Sequence, residues 1–397
     1  MRLSSTTLAL GVCLVTTTPA FTSGIQELFG FPCTSTSCPY GSQPAAIIQA
    51  SDGNFYGVAQ ASIPGGGTIF KMTTAGQVTE LFVFLTQPGT AFFPNGSAPN
   101  SIAEGSDGLL YGTAGTGGPT SASSGTLWRI RKDGKGFQVL QQFCTSCANG
   151  AYPNNIIAGS DGNLYGTTGY GGNFTGNVCS SLGCGVVFRL TTSGVYTVLH
   201  ALAGGAETSD PIGITQASDG NFYGGTAYLG GGALFRVTPS GSYTTLVDLG
   251  SGNYALSPMT QASNGLLYGF SHVVNASTIE FFSLSLSGTF QNIAPITQPL
   301  FKQLGLGQPL QATDGNLWIC AFIGGSSNLG RVFSVTTSGT VLDSFSFNGT
   351  NGANPVKGLV QTPDGTLYGT ATKKGMTSNG AAASGVIYSI SGLPPKR

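Results

Sequence analysis

The chain has few of the charged and imidazole side chains that acid–base and metal chemistry usually need. Charged residues make up 8% of its 397 residues, 15 Lys and Arg balance 15 Asp and Glu, and His occurs only twice, as His200 and His272. This balance makes nucleic acid and anionic membranes poor partners. Glu207 and Asp210 share one loop, whereas glycoside hydrolysis needs two carboxyl groups that flank the bond. No group of His and carboxylates has the pattern of a metal site, so we predict neither a metal nor a cofactor.

Long hydrophobic runs are also missing after the first 20 residues, so no later segment has the length of a transmembrane helix. The chain starts with Met1 and Arg2, an apolar stretch over residues 8–15, and Thr18-Pro19-Ala20. This order is typical of a secretory signal peptide, and the apolar stretch is too short to span a bilayer. We predict a signal peptide over residues 1–20 and one secreted domain over residues 21–397, with no membrane anchor.

One short motif recurs along the whole chain. Residues 51–57 read SDGNFYG, and related segments follow at 106–112, 160–166, 218–224, 263–269, 313–318 and 363–369. Asp-Gly or Asn-Gly between apolar runs is a strong hairpin signal, and it predicts type I′ turns with positive φ at both central residues. The aromatic residue that follows each turn recurs in every copy, so we predict that these seven residues belong to the core.

Each motif follows one short apolar segment and contains a second one after its turn. Two further short segments come after the motif. We name the four strands A to D in chain order; residues 45–48, 54–57, 68–72 and 78–84 are the first set. Four short strands at a spacing of about 45 to 58 residues are typical of a β-propeller blade. Seven repeats predict an all-β, seven-bladed β-propeller.

The two ends of the predicted ring complement each other. The seventh repeat stops near Ile390 without a strand D, while residues 25–31 form a lone strand with the character of a strand D. We predict that this N-terminal strand pairs with strand C of blade 7, because such pairing closes the ring and removes its free edges.

Connectivity places the short A–B and C–D turns on one face and the long, variable B–C and D–A loops on the other. Variable loops on a rigid ring commonly carry function. Six of the eight cysteines occur as close pairs in these loops, which predicts the disulfides Cys33–Cys38, Cys144–Cys147 and Cys179–Cys184. Zinc is the weaker interpretation of Cys144 and Cys147, since it needs a second such pair. Cys320 is predicted to be a buried free thiol. The glycosylation sequons fall in the same loops, at Asn95, Asn173, Asn275 and Asn348.

The long-loop face is rich in aromatic and uncharged polar residues. An apolar mouth with a few neutral donors suits a hydrophobic organic ligand better than a charged one. The residues predicted to bind such a ligand are Tyr152, Asn100, Asn154, Phe322, Tyr170 and Lys302.

Two resemblances accompany these patterns. The order Ser-Asp-Gly-Asn, Gly-x-Val-Phe-Arg and Thr-x-Ser-Gly resembles a Gly-rich tandem repeat of secreted, mainly bacterial proteins. The chain as a whole resembles the fungal hetero-Diels–Alderases of tropolone-sesquiterpene biosynthesis, the family of the eupenifeldin and xenovulene pathways. That resemblance implies the addition of a tropolone o-quinone methide to a humulene-type sesquiterpene, without a cofactor. A hydrogen-bond donor on the quinone methide oxygen would promote the addition; His272, Lys357 and Tyr228 are the predicted catalytic residues, with His272 first.

Two other functions remain open from the sequence. A secreted glycan-binding or adhesion propeller would stack its aromatic residues on sugar rings. The loops differ from blade to blade, however, which favours one central pocket over a site repeated in each blade. A lactonase-like metal hydrolase would need inward-facing carboxylate and histidine ligands, which the sequence does not offer. The oligomeric state is not predicted.

Overall fold

The chain folds into seven small antiparallel sheets arranged in a ring, so the predicted all-β, seven-bladed β-propeller is confirmed. The computed structural model describes residues 24–393 apart from 35, 64, 121–122, 176–178, 180, 229, 274–277, 298–304 and 378–379. The predicted signal peptide lies outside these residues. Within the described part, helix is confined to one 3-10 turn, Gly205–Glu207.

Strand A of each blade faces the ring axis, and strands B, C and D follow outward. The chain begins with β1 (Ile25–Pro32). Blade 1 contains β2 (Ser42–Gln49), β3 (Phe55–Ala61), β4 (Thr68–Met72) and β5 (Val78–Val83). Blade 2 contains β6 (Phe93–Glu104), β7 (Leu110–Gly118), β8 (Ser123–Ile130) and β9 (Gln138–Cys144). Blade 3 contains β10 (Ala151–Ala158), β11 (Leu164–Tyr170), β12 (Val186–Leu190) and β13 (Tyr196–Ala201).

The second half of the ring is less regular at its inner edge. Blade 4 contains β14 (Pro211–Gln216), β15 (Phe222–Thr226), β16 (Gly232–Val237) and β17 (Tyr243–Gly250). In blade 5, strand A is split into β18 (Tyr254–Ala255) and β19 (Thr260–Gln261), which both pair with β20 (Leu267–His272), followed by β21 (Thr278–Leu284) and β22 (Phe290–Thr297). Blade 6 contains β23 (Leu310–Gln311), β24 (Leu317–Ala321), β25 (Arg331–Val335) and β26 (Val341–Ser346). Blade 7 contains β27 (Ala353–Gln361), β28 (Leu367–Lys373) and β29 (Ala383–Ile390).

The N-terminal strand closes the ring, as predicted. β1 pairs antiparallel with β29, from Ile25 opposite Ile390 to Pro32 opposite Ala383, and becomes the fourth strand of blade 7. Phe31 near its end is fully buried, and its ring centroid lies 5.3 Å from that of Phe70 in blade 1. The closing strand therefore contributes both backbone pairing with β29 and core packing, and it covers the edge of β29 that would otherwise be free.

The Asp-Gly turns differ from the predicted type I′ geometry. In the first turn Gly53 has a φ of 78°, while the two residues before it lie outside the positive-φ region. Gly53 N donates to Ala50 O over 2.8 Å and Ala50 N donates to Asn54 O over 2.9 Å, as in a type I turn followed by a glycine bulge. The type I′ prediction is wrong because the Asp52 carboxylate accepts hydrogen bonds from Asn54 N and, over 2.8 Å, from the Tyr56 hydroxyl.

The aromatic residue after each turn belongs to the core in nearly every blade. Six of the seven are buried, namely Tyr56, Tyr111, Tyr165, Tyr223, Tyr268 and Trp318. Tyr368 is half-buried. The repeat thus builds each turn and its blade's core from the same few residues, which confirms the sequence interpretation for six blades and weakens it for blade 7.

Glycine–proline contacts join neighbouring blades. Gly385, just before the core of strand C in blade 7, has a φ of 123°, and a Cβ atom there would overlap the ring of Pro44 in blade 1. The same contact recurs at Gly67 with Pro99, Gly125 with Pro153, Gly185 with Pro211 and Gly330 with Pro355. Any side chain at these glycines would push two blades apart, so the glycines set the spacing of the ring.

The three predicted disulfides are present, with Cα–Cα distances of 4.3 Å for Cys33–Cys38, 5.2 Å for Cys144–Cys147 and 4.8 Å for Cys179–Cys184. Cys33–Cys38 and Cys179–Cys184 lie in long loops, whereas Cys144 is the last residue of β9 and Cys147 lies in the loop that follows. Cys320 is free and buried, as predicted.

The sequons are placed less uniformly than predicted. Asn173 and Asn348 lie in long loops, but Asn95 lies within β6, because β6 and β7 extend as a hairpin beyond the ring. The loop assignment of Asn95 is therefore wrong. Asn275 lies outside the described residues.

Candidate functional site

The inner strands surround a central channel of about 380 Å³ to which all seven blades contribute. Most of its wall is aliphatic; the branched side chains come from Ile48, Ile102, Ile157, Ile212, Leu256 and Leu306, one from each of blades 1 to 6. The polar groups in the wall are Asn100, Ser101, Asn155, Gln308 and Lys357. Among the described residues that line it, Lys357 is the only charged one. The channel therefore combines a large apolar surface with one ammonium group.

Lys357 reaches the channel through a bulge in β27. Pairing between β27 and β28 jumps from Val356 opposite Thr370 to Val360 opposite Tyr368, so that three residues of β27 face one of β28. In blade 1 the corresponding jump leaves a single extra residue, between Pro44 and Ala46. Lys357 has a φ of 55°, a left-handed conformation that is uncommon outside Gly, Asn and Asp. Bulges of this kind redirect side chains.

A glycine in blade 6 makes room for this bulge. A Cβ atom at Gly307 would overlap the carbonyl oxygen of Lys357. Gly307 N also donates to Cys320 O over 2.9 Å, which fixes the loop before β23 against β24. The position of Lys357 is therefore held from both sides by packed backbone.

The Lys357 ammonium spans the channel to the opposite wall. Its Nζ donates to the backbone oxygen of Asn154 in blade 3 over 3.2 Å. The side chain is accessible to water within the channel, yet protein walls surround it. This enclosure disfavours the charged form and lowers the pKa of Lys357 to about 8. Close to neutral pH, Lys357 can therefore donate hydrogen bonds as an ammonium or act as a free amine.

Further space adjoins the channel at each end. Toward the long-loop face, a side pocket of about 210 Å³ is lined by Ala45, Leu306, Phe322 and Val356 and shares Lys357 with the channel. Toward the turn face, a more polar space of about 410 Å³ begins at Gln308. Lys357 thus stands between the channel and an apolar pocket that opens on the predicted functional face.

The predicted site residues divide into several groups. Lys357 and Asn100 line the channel, and Phe322 lines the side pocket. The amide of Asn100 is engaged in the ring, because it accepts from Thr113 Oγ1 over 2.6 Å and donates to Pro153 O over 2.8 Å. The Asn154 amide likewise donates to Pro211 O over 2.5 Å. Both amides join neighbouring blades.

Tyr152 and Tyr170 lie together at the long-loop end of blade 3. Their rings meet edge to face with centroids 5.7 Å apart, and Tyr152 is 36% exposed. Asp210 stands beside them, in space that the missing side chain of Gly169 leaves open. Its charge, together with burial, raises the pKa of Tyr170, and burial raises the pKa of Asp210 itself. The sequence indicates only that Asp210 shares a loop with Glu207, and that position offers no signal for this half-buried carboxyl group.

His272 and Tyr228 do not line the channel or its two adjoining spaces. The His272 ring stacks on Tyr254 with centroids 4.7 Å apart, and its Nδ1 is buried without a hydrogen-bond partner among the described residues. Tyr228 is 38% exposed on the B–C loop of blade 4. His200 is bound to Glu207 over 2.9 Å and stacked on Tyr243, in agreement with a structural role. Of the three predicted catalytic residues, Lys357 is the one that lines the channel among the described residues.

Lys302 lies outside the described residues. Within the described part of the chain, no group of three or more His, Cys, Asp or Glu side chains could hold a metal ion. In the same part of the chain, no helix has the length and apolarity to cross a membrane.

Comparisons with known proteins agree with the repeat and the fold. The profile of a family described as the Gloeobacter/Verrucomicrobia repeat matches residues 21–182. No curated protein matches the chain significantly. The matched segment spans blades 1 and 2 and the first two strands of blade 3.

Solved structures with a similar fold include an enzyme. Virginiamycin B lyase from Staphylococcus aureus has a TM-score of 0.60 at 15% identity, over 92% of this chain and 99% of that chain. The extracellular domain of a hybrid two-component system from B. thetaiotaomicron has a TM-score of 0.59 at 13% identity, over 94% of this chain and 42% of that chain. At these identities the similarity establishes the propeller fold alone.

Proposed function

We propose that the chain is a cofactor-independent enzyme that joins two apolar substrates in its central channel by a hetero-Diels–Alder cycloaddition. The substrates are a tropolone o-quinone methide and a humulene-type sesquiterpene. The observation that carries this proposal is the ammonium group of Lys357 in a channel whose other described lining residues carry no charge. It suits a reaction in which one substrate oxygen gains negative charge while the rest of both substrates stays apolar.

Lys357 takes the role of the hydrogen-bond donor. Its Nζ uses one N–H on Asn154 O, which leaves further N–H groups for a substrate oxygen. A preorganised donor between protein walls stabilises charge that develops in the transition state more than a donor in bulk water. Lys357 therefore lowers the barrier by binding the quinone methide oxygen more tightly as the new bonds form.

The aliphatic wall takes the role of positioning the two substrates. A volume of about 380 Å³, with the side pocket of about 210 Å³ beside it, falls in the usual range for sites that bind small organic molecules. Holding two reactants in a near-attack geometry removes much of the entropic barrier of a bimolecular reaction. The irregular inner strands of blades 5 and 6 make the channel asymmetric, which favours one stereochemical outcome.

The test is a reaction of a chemically generated tropolone o-quinone methide with humulenol, with and without the purified chain. We expect a higher rate and one dominant stereoisomer with the protein. Lys357→Met should lower the rate by about 100-fold, while Lys373→Met, which changes an exposed lysine of β28, should leave it unchanged. Equal rates and product ratios with and without the wild-type protein would refute the proposal.

Glycan binding is the second candidate function. The exposed rings of Tyr152 and Tyr228 could stack on sugars at the long-loop face. Binding to a glycan array that is lost in Tyr152→Ala but kept in Lys357→Met would favour this alternative over channel chemistry.

We also propose that the protein is secreted. Three disulfides support this location, because disulfides persist in oxidising compartments. Detection of the chain in the medium of its native host, without the residues before 21, would test it.

A further inference from the structure

Lys357 lacks the partners that normally keep a lysine inert. The ion pairs of the described residues, Arg131–Asp133, Lys132–Glu104 and His200–Glu207, all lie elsewhere. Within the described residues, its Nζ makes one hydrogen bond, to the backbone oxygen of Asn154. No other titratable side chain lines the channel or the side pocket within the described residues. Among the described residues, the amine is therefore positioned by a backbone oxygen and has no carboxylate beside it.

The neutral form of this amine is unusually accessible. With a pKa of about 8, about a quarter of Lys357 is unprotonated at pH 7.5, compared with about a thousandth of an ordinary lysine in water. A lysine whose amine is partly neutral near physiological pH is a recognised nucleophile toward carbonyl carbon. The side pocket beside it, lined by Ala45, Leu306, Phe322 and Val356, offers an apolar surface to the rest of a carbonyl compound.

We propose that Lys357 is also a covalent site, at which an apolar aldehyde bound in the side pocket condenses with Nζ to form an imine. The Nζ lone pair adds to the carbonyl carbon and gives a carbinolamine. The two amine protons and the carbonyl oxygen then leave as one water molecule while the C=N bond forms. The step needs no oxidant or reductant, and addition of water reverses it.

The covalent site does not rest on the proposed cycloaddition. Imine formation requires the neutral amine, whereas hydrogen-bond donation to a quinone methide uses the ammonium form. The first therefore increases and the second decreases as the pH rises through about 8. An adduct is detected as added mass on one residue, independently of any turnover, so either idea can fail alone.

The experiment treats the full chain with limiting benzaldehyde and sodium cyanoborohydride, which traps an imine as a stable benzylamine. Chymotryptic peptides are then quantified by mass spectrometry, with exposed Lys373 as the internal reference. At pH 7.5 we expect Lys357 to be labelled at least tenfold faster than Lys373. The preference should disappear in urea at a concentration at which tryptophan fluorescence shows the chain to be unfolded.

A pH series adds a second readout. Labelling of Lys357 should reach half of its maximum near pH 8, because that is where half of the amine is neutral. Labelling of Lys357 in the folded chain that is no faster than that of Lys373 across pH 7 to 9 would overturn the proposal. A preference that persists unchanged in urea would also overturn it, since it would then owe nothing to the fold.

Discussion

Phe31 provides a quantitative test of how the ring is closed. The residue is fully buried, and it packs against Phe29 and Phe70 with ring centroids 5.2 and 5.3 Å apart. It occupies the position in the closing strand that Phe84, also fully buried, occupies at the end of strand D in blade 1. Truncating a fully buried Phe to Ala removes its transfer free energy and leaves a cavity, at a cost of about 3–5 kcal/mol. We expect Phe31→Ala to lower the free energy of unfolding by this amount.

Phe84→Ala is the matched control, because it removes the same side chain from a strand that is continuous with its own blade. Both variants are unfolded in urea with tryptophan fluorescence as the signal, and limited proteolysis within β1 provides a second readout. We expect similar losses of stability, with faster cleavage of β1 only in Phe31→Ala. A loss below about 1 kcal/mol for Phe31→Ala, with the full loss in Phe84→Ala, would show that the ring closes without β1 and would refute this account.

Three further predictions concern charge and modification. The proposed cycloaddition should slow by about tenfold between pH 7 and pH 9 in the wild type, as the ammonium fraction of Lys357 falls, but not in Lys357→Met; stopped assays at each pH test this. Asp210→Asn should raise the free energy of unfolding at pH 7 by about 1 kcal/mol, because burial raises the pKa of Asp210 and disfavours its charged form. This gain should vanish as the pH falls to about 4, where the Asp210 carboxyl group of the unfolded chain also becomes protonated. In a eukaryotic secretory host, Asn348 should carry a glycan and Asn95 should not, since Asn348 is exposed in a loop and Asn95 lies in β6. Comparing the masses of the peptides that contain each Asn before and after deglycosylation tests this prediction.

The repeat made the blade count and the ring closure predictable from sequence. Each Asp-Gly turn carries its own local signal, and the missing strand D at one end matches the extra strand at the other. The turn type was not predictable from the dipeptide alone. It depends on the hydrogen bonds that the Asp52 carboxylate accepts from Asn54 N and the Tyr56 hydroxyl. These hydrogen bonds form only when the carboxylate faces the strand that follows.

The candidate site was predictable only in part, because loop position does not reveal where a side chain points. Asn100 and Asn154 are in the predicted region, but their amides join blades by donating to Pro153 O and Pro211 O. His272 is the last residue of strand B in blade 5, but it stacks on Tyr254 and does not line the channel. These contacts link blades or strands that are distant in sequence, so no local pattern encodes them.

The inward position of Lys357 did leave a signal in the sequence, in the spacing between the strand A proline and the Asp of the following turn. Eight positions separate Pro44 from Asp52, and the same spacing holds in blades 2 to 4, whereas nine separate Pro355 from Asp364. The ladder must absorb the extra residue as a wider bulge, and Lys357 lies within that bulge. In blades 5 and 6 the spacing is shorter, and strand A shrinks to two-residue pieces. Because these departures from the repeat period lie on strand A, they alter the channel wall in blades 5 to 7 and leave the outer strands of those blades in place.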